Sequence, residues 1–108
     1  ENFQACYSHM LFCMALRNQD LKDLNKEIWR ILKKDGFNIY TVRNHTDGDF
    51  KKGTHRGEDM YEMNGFIVHY FSENKIKSLL NGFTNISIEN FDEGSFPRKL
   101  SLVINKKK

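Results

Sequence analysis

Long apolar runs are missing from this chain: none approaches the roughly 20 residues that a helix needs to cross a bilayer. Nothing in it resembles a signal peptide either, so the expectation is a soluble, cytoplasmic protein with no membrane partner. Cysteine is scarce. Cys6 and Cys13 have neither a second thiol pair nor a nearby histidine placed to complete a zinc site, and they read as free thiols in a reducing cytosol. An excess of one charge is lacking too: 17 Lys and Arg against 14 Asp and Glu leave only +3, much of it in Lys106-Lys107-Lys108, a solvated end. So mild a balance argues against nucleic acid. None of the seven glycines forms a GxGxxG cluster between a strand and a helix.

What is present is the material of one α/β domain, or a piece of one, in 108 residues. Leu21, Leu24, Ile28, Ile31 and Leu32 recur at helical spacing while Lys22, Asp23, Lys26, Glu27 and Arg30 fill the other face. We expect a helix over 18–35, capped by Asn18, with Asp20 in its first turn and Arg30, Lys33 and Lys34 at the negative end of its dipole. Gly36 should supply a left-handed exit into a strand over 37–43, and Phe3 to His9 reads as a shorter strand before an irregular or helical apolar segment over 10–16. A strand leaving a helix in this way normally runs parallel to one before it, and the C-terminal ends of parallel strands are where α/β proteins place their chemistry.

Residues 44–65 form a long polar stretch, expected to be a functional loop. Then come the apolar run Phe66 to Phe71, a helix capped by Ser72 and carrying Ile76, Leu79 and Leu80, and Gly82 near its end. Beyond it the period changes to alternation at Ile86 and Ile88, and again at Leu100, Leu102 and Ile104, with turn formers over 92–97 between them. A β-hairpin results.

This order, and its wording, resembles the second half of class I S-adenosylmethionine-dependent methyltransferases. Phe3 to His9 looks like their fourth strand, and Ile31-Leu32-Lys33-Lys34-Asp35-Gly36-Phe37 like the helix end before their fifth. Ser72-Glu73-Asn74-Lys75-Ile76 is similar to the start of the helix before their sixth, and the hairpin, with Phe91-Asp92-Glu93-Gly94 and Pro97-Arg98, resembles small-molecule enzymes of the tellurite and thiopurine type. The resemblance implies the C-terminal half of a Rossmann-like sheet, strand-helix-strand-helix and then an antiparallel hairpin, three-layered in the parent, with the seventh strand inserted between the fifth and sixth. Residues 1–108 would be a single partial domain, and Glu1, not Met, reads as a cut end. Two departures stand out: Lys34-Asp35 replaces a common Pro-Gly, and Gln4 stands where Asp is usual. The cofactor's glycine-rich loop and ribose-binding acid would lie upstream of Glu1. Hence S-adenosylmethionine is expected in the parent but not bound to this chain, which by itself should be inactive.

By the same resemblance Ser8, His9 and Met10 would border the cofactor, or simply pack and cap. Arg43, Asn44, His55, Arg56, Glu58 and Tyr61 would face a small methyl acceptor, with the 44–65 loop as its cover or else as a solvated surface. His9 and His55 are the candidate bases. His69, in an apolar run, reads as a core residue, and Trp29 as core or as an interface with the missing half. The bare sheet edge at Phe3 to His9 is expected to self-associate. Two rivals remain open: a complete small α/β binding module, and a metal-dependent hydrolase using His45, Asp47, Asp49, His55, Glu58 or Asp59, whose spacing matches no compact metal motif.

Overall fold

The first helix, α1 (Asn18–Ile31), buries Leu21, Asn25 and Ile28 at helical spacing and leaves its charged face in water. The computed structural model describes residues 3–14, 16–47, 49–63, 65–94 and 98–108. Asn18 does not cap α1. Arg17 is extended and takes the cap position, its N–H bonded to the Asp20 carboxylate at 3.1 Å, while the Asn18 N–H turns to Glu58 at 3.3 Å. The helix also stops four residues short of its expected end, because Leu32 is already extended. Lys33 and Lys34 therefore lie beyond the helix, and Arg30 is the cation of its last turn.

The strand that follows, β2 (Leu32–Arg43), runs parallel to β1 (Phe3–His9), as the helix-then-strand order demands. Their register jumps between Phe3↔Leu32 and Ala5↔Phe37, so the intervening residues of β2 bulge outward. Asp35, not Gly36, adopts the left-handed conformation there (φ 65°). Gly36 is required for a different reason: a Cβ at that position would lie 2.8 Å from the Lys33 carbonyl oxygen and 2.9 Å from that of Gln4.

Within the 44–65 stretch, expected as a loop, two short strands are found, β3 (Thr54–His55) and β4 (Met60–Met63), and with β5 (Phe66–His69) just after the stretch they pair as a small antiparallel sheet. Next comes α2 (Glu73–Ser78), whose cap is the expected one, with the Ser72 hydroxyl accepting the Lys75 N–H at 3.1 Å. The last strands, β6 (Phe83–Glu93) and β7 (Arg98–Lys107), form the hairpin, and the turn residues 95–97 lie outside the described residues.

In the main sheet the order is β1-β2-β7-β6, with β7 antiparallel to both neighbours. One face, carrying Tyr40, Val42 and Val103, packs against Phe12, Leu21, Ile28, Ile76 and Leu79. Burying each large aliphatic side chain is worth about 1.5–3 kcal/mol, so this single core carries the fold. Phe12 stacks on Tyr40 at 4.3 Å. The alternate residues face the other way, where Tyr7 is 64% exposed, Phe37 36%, and Ile39, Leu102 and Ile104 only partly covered. Trp29 joins the layers: its Nε1 donates to the Gly82 carbonyl at 3.0 Å, and the Lys107 ammonium lies 4.0 Å from its ring centre.

Candidate functional site

Because β1 and β2 are parallel, their C-terminal ends bring His9 and Thr41 side by side. Met10 turns the chain there through a left-handed conformation (φ 57°). Its N–H donates to the Thr41 hydroxyl at 2.9 Å, and that hydroxyl is hydrogen-bonded to His9 Nδ1, 2.7 Å away. The other ring nitrogen, Nε2, lies 3.2 Å from a Glu93 carboxylate oxygen. Both ring nitrogens thus have a partner within hydrogen-bond distance. Neither Thr41 nor Glu93 carries a local signal: the strand register puts Thr41 beside His9, and Glu93 reaches it through its side chain from the far end of β6. Ser8, in contrast, pairs with Tyr40 in register and shares the covered face, with its hydroxyl buried and unpartnered.

Arg43, at the end of β2, is committed to holding the chain that follows. Its Nε and Nη2 donate to both oxygens of Asp47 at 3.0 and 2.8 Å, Nη2 also reaches Asp49 at 3.0 Å, and the guanidinium lies 5.3 Å from the Tyr70 ring centre. Burial by itself would raise the Asp47 carboxyl, but Arg43 and the backbone N–H groups of Asp49 and Lys99 outweigh it and hold the group below the usual carboxylate range. Asn44 is buried, donating to the Ser101 hydroxyl at 3.1 Å and accepting the Thr46 N–H at 3.0 Å. Of the two, Arg43 lines the cleft described next and Asn44 does not.

The expected cluster over 55–62 divides. Only Tyr61 lines a cleft of about 740 Å³, together with Met10, Met14, Met63, Phe66 and Tyr70. His55 is exposed and stacked on Tyr61, Arg56 is paired with Glu62 on the outside, and Glu58 accepts the Asn18 N–H; none of the three lines the cleft. His55 and Tyr61 are cross-strand partners on one side of the β3–β4 pair, with His55 at its exposed end, while Glu62, the next residue along, holds Arg56 on the other side. His45 stacks on Phe50 at 4.2 Å and bonds Asp59 at 3.1 Å. In the cleft wall, burial pushes the Tyr70 phenol up to about 12, so it stays a neutral hydrogen-bond donor.

Behind this wall His69 is fully buried, as its apolar run implied. Its Nδ1–H donates to the Leu16 carbonyl at 2.7 Å and its Nε2 accepts from the Lys75 ammonium at 2.6 Å. Burial pulls His69 below its ordinary value, and the neighbouring Lys75 charge adds to this. Lys75, itself lowered by burial, also donates to the Glu58 carbonyl at 2.7 Å and lies 3.7 Å from Asp59. Among the described residues no three His, Cys, Asp or Glu side chains converge as metal ligands, and the hydrolase reading gains no support. No helix of the described residues is long and apolar enough to cross a membrane.

A strand that enters antiparallel between two neighbours, beside a parallel pair, is the decisive topological observation. The fold is the Rossmann-like methyltransferase fold. A SAM-dependent methyltransferase from Methanosarcina mazei superposes with a TM-score of 0.76 at 16% identity, over 98% of this chain and 59% of its own. The 1,6-didemethyltoxoflavin-N1-methyltransferase of Burkholderia thailandensis, solved with 1,6-didemethyltoxoflavin and S-adenosylhomocysteine, gives 0.70 at 12% identity over 99% and 44%. The N-methyltransferase NodS of Bradyrhizobium japonicum WM9, solved with S-adenosylhomocysteine, gives 0.68 at 11% over 99% and 47%. The methyltransferase-fold chain described here thus spans about half the length of these proteins. No protein-family model matches the sequence, and no curated protein does.

The residues present do not form a cradle for S-adenosylmethionine. The chain has no glycine-rich loop between a strand and a helix, and at the end of β1 the Ser8 hydroxyl faces the core while His9 is bound to Thr41 and Glu93.

Proposed function

We propose that these 108 residues are the acceptor-side half of an S-adenosylmethionine-dependent methyltransferase acting on a small molecule, and that the nucleotide is held by sequence outside them. The observation that carries the reading is the β1-β2-β7-β6 order with β7 antiparallel between β2 and β6, together with a cleft at the C-terminal ends of β1 and β2. Methyl transfer from a sulfonium asks a protein chiefly for alignment and exclusion of water. In this reading the aromatic wall of Tyr61 and Tyr70, braced by Phe50, excludes water, and the Arg43–Asp47–Asp49 staple fixes that wall. His9 serves as a positioned rim residue, oriented by Thr41 and Glu93.

Kinship with the tellurite and thiopurine type is the narrower part of the proposal and rests on the hairpin sequence around Phe91 to Gly94. The partly bare sheet face, with Tyr7 and Phe37, speaks against a complete small module and for a covering layer. Without that layer, self-association through the β1 edge is expected, and light scattering over a range of concentrations checks it. The functional reading itself is tested by expressing the complete gene product and measuring S-adenosylhomocysteine binding beside residues 1–108. Binding by the former alone supports it, whereas tight binding by the 108 residues alone overturns the division of labour.

A further inference from the structure

We propose that the cleft beside Met10 and Tyr61 takes a small aromatic molecule bearing an anionic group, an inference that rests on the acceptor reading and narrows it to a substrate class. Three cations, Arg43, Lys52 and Arg98, stand among the residues lining the cleft, and no Asp or Glu among the described residues does. Arg43 is already balanced by Asp47 and Asp49. Lys52 has no ion-pair partner among the described residues, and Arg98 reaches Glu93 only at 3.6 Å with both side chains open to water. A carboxylate, sulfonate or phosphate would therefore find two available donors at the mouth.

The remaining lining sets the body of the ligand. Met10, Met14 and Met63 supply flexible, polarisable thioethers that mould to flat rings, and Phe66, 76% exposed, stands open at the rim. Tyr61 and Tyr70 add aromatic walls, and the neutral Tyr70 phenol can donate to a ligand oxygen. A cleft of about 740 Å³ lies within the range that holds one small molecule.

The test is a titration of the 108-residue protein with 2-naphthoate, 2-naphthamide and 2-naphthylmethylammonium, followed by amide NMR shifts. The expected result is perturbation at Met10, Met14, Tyr61 and Phe66, with the carboxylate binding at least about tenfold tighter than the amide and the ammonium weakest. Lys52→Gln with Arg98→Gln should abolish that preference while leaving amide binding and the spectrum of the fold intact. Equal or stronger binding of the amide or the ammonium overturns the proposal, as do shifts confined to the open sheet face or no binding at all. Carboxylate preference in the 108 residues, with a complete gene product that ignores S-adenosylhomocysteine, would uphold the anion-binding cleft and sink the methyltransferase reading. The reverse pattern would sink only the substrate class.

Discussion

Replacing Asp47 with alanine should be among the most damaging changes that leave the hydrophobic core untouched. The carboxylate is 5% exposed and accepts four hydrogen bonds, two from Arg43 and one each from the backbone N–H groups of Asp49 and Lys99. Its removal strands a half-buried guanidinium and the Lys99 N–H, and breaking a buried pair from one side costs about 3–5 kcal/mol. Arg43 retains Asp49 and the face of Tyr70, which places the loss near the lower end, about 3 kcal/mol. Domains of this size have only about 5–15 kcal/mol in total. At roughly 4–8 °C per kcal/mol, the midpoint of thermal unfolding should drop by about 12–24 °C. Asp47→Asn keeps the shape and one acceptor and should fall in between. Arg43→Met with Asp47→Leu, which removes both charges, should cost less than Asp47→Ala. Thermal and urea unfolding followed by circular dichroism measure all three. An Asp47→Ala protein within about 1 kcal/mol of the parent would refute the idea that this staple holds the cleft wall.

Three further outcomes follow from the geometry. His69 is buried neutral, facing the Lys75 ammonium, with Glu58 and Asp59 beyond it. The unfolded chain therefore binds more protons below about pH 6.5, and stability should fall as pH drops from there toward 5; His69→Gln should flatten that part of a urea-midpoint profile. Gly82 sits at φ +82° with Trp29 Nε1 only 2.6 Å from where a Cβ would be, so Gly82→Ala should cost about 1–3 kcal/mol and shift the emission of the single tryptophan to the red. Arg56→Ala should change stability by less than about 1 kcal/mol, being an exposed pair with Glu62, and should leave acceptor kinetics of the complete enzyme unaltered, whereas Tyr61→Phe should raise the acceptor KM with little change in cofactor affinity.

The elements that the sequence made legible are those in which local pattern and tertiary packing agree. The Leu21–Ile28 stripe, the Ser72 cap and the alternation from Leu100 to Ile104 each specify a face and a partner without reference to distant residues. The helix-to-strand junction was misread because Gly36 looks like a helix exit, while the real constraint is the close approach of the Gln4 backbone, which no local pattern displays. In the small sheet, β3 and β4 are obscured by polar composition and by lengths of two and four residues, too short for alternation to show, whereas β5 lies in the apolar run that begins at Phe66. At the site, residue type pointed to Arg43, Arg56 and His55, but titratable chemistry clustered in sequence was spent on internal pairs. What lines the cleft is methionine, aromatic side chains and the cations Arg43, Lys52 and Arg98, with Thr41 brought to His9 by register.

The central claim, that these residues are one side of a methyltransferase whose cofactor cradle lies elsewhere in the same protein, meets its most direct test in calorimetry. S-adenosylhomocysteine is titrated into the complete gene product and, separately, into residues 1–108. The account predicts micromolar or tighter binding by the complete product and none by the 108 residues. A folded complete product that does not bind S-adenosylhomocysteine would contradict it.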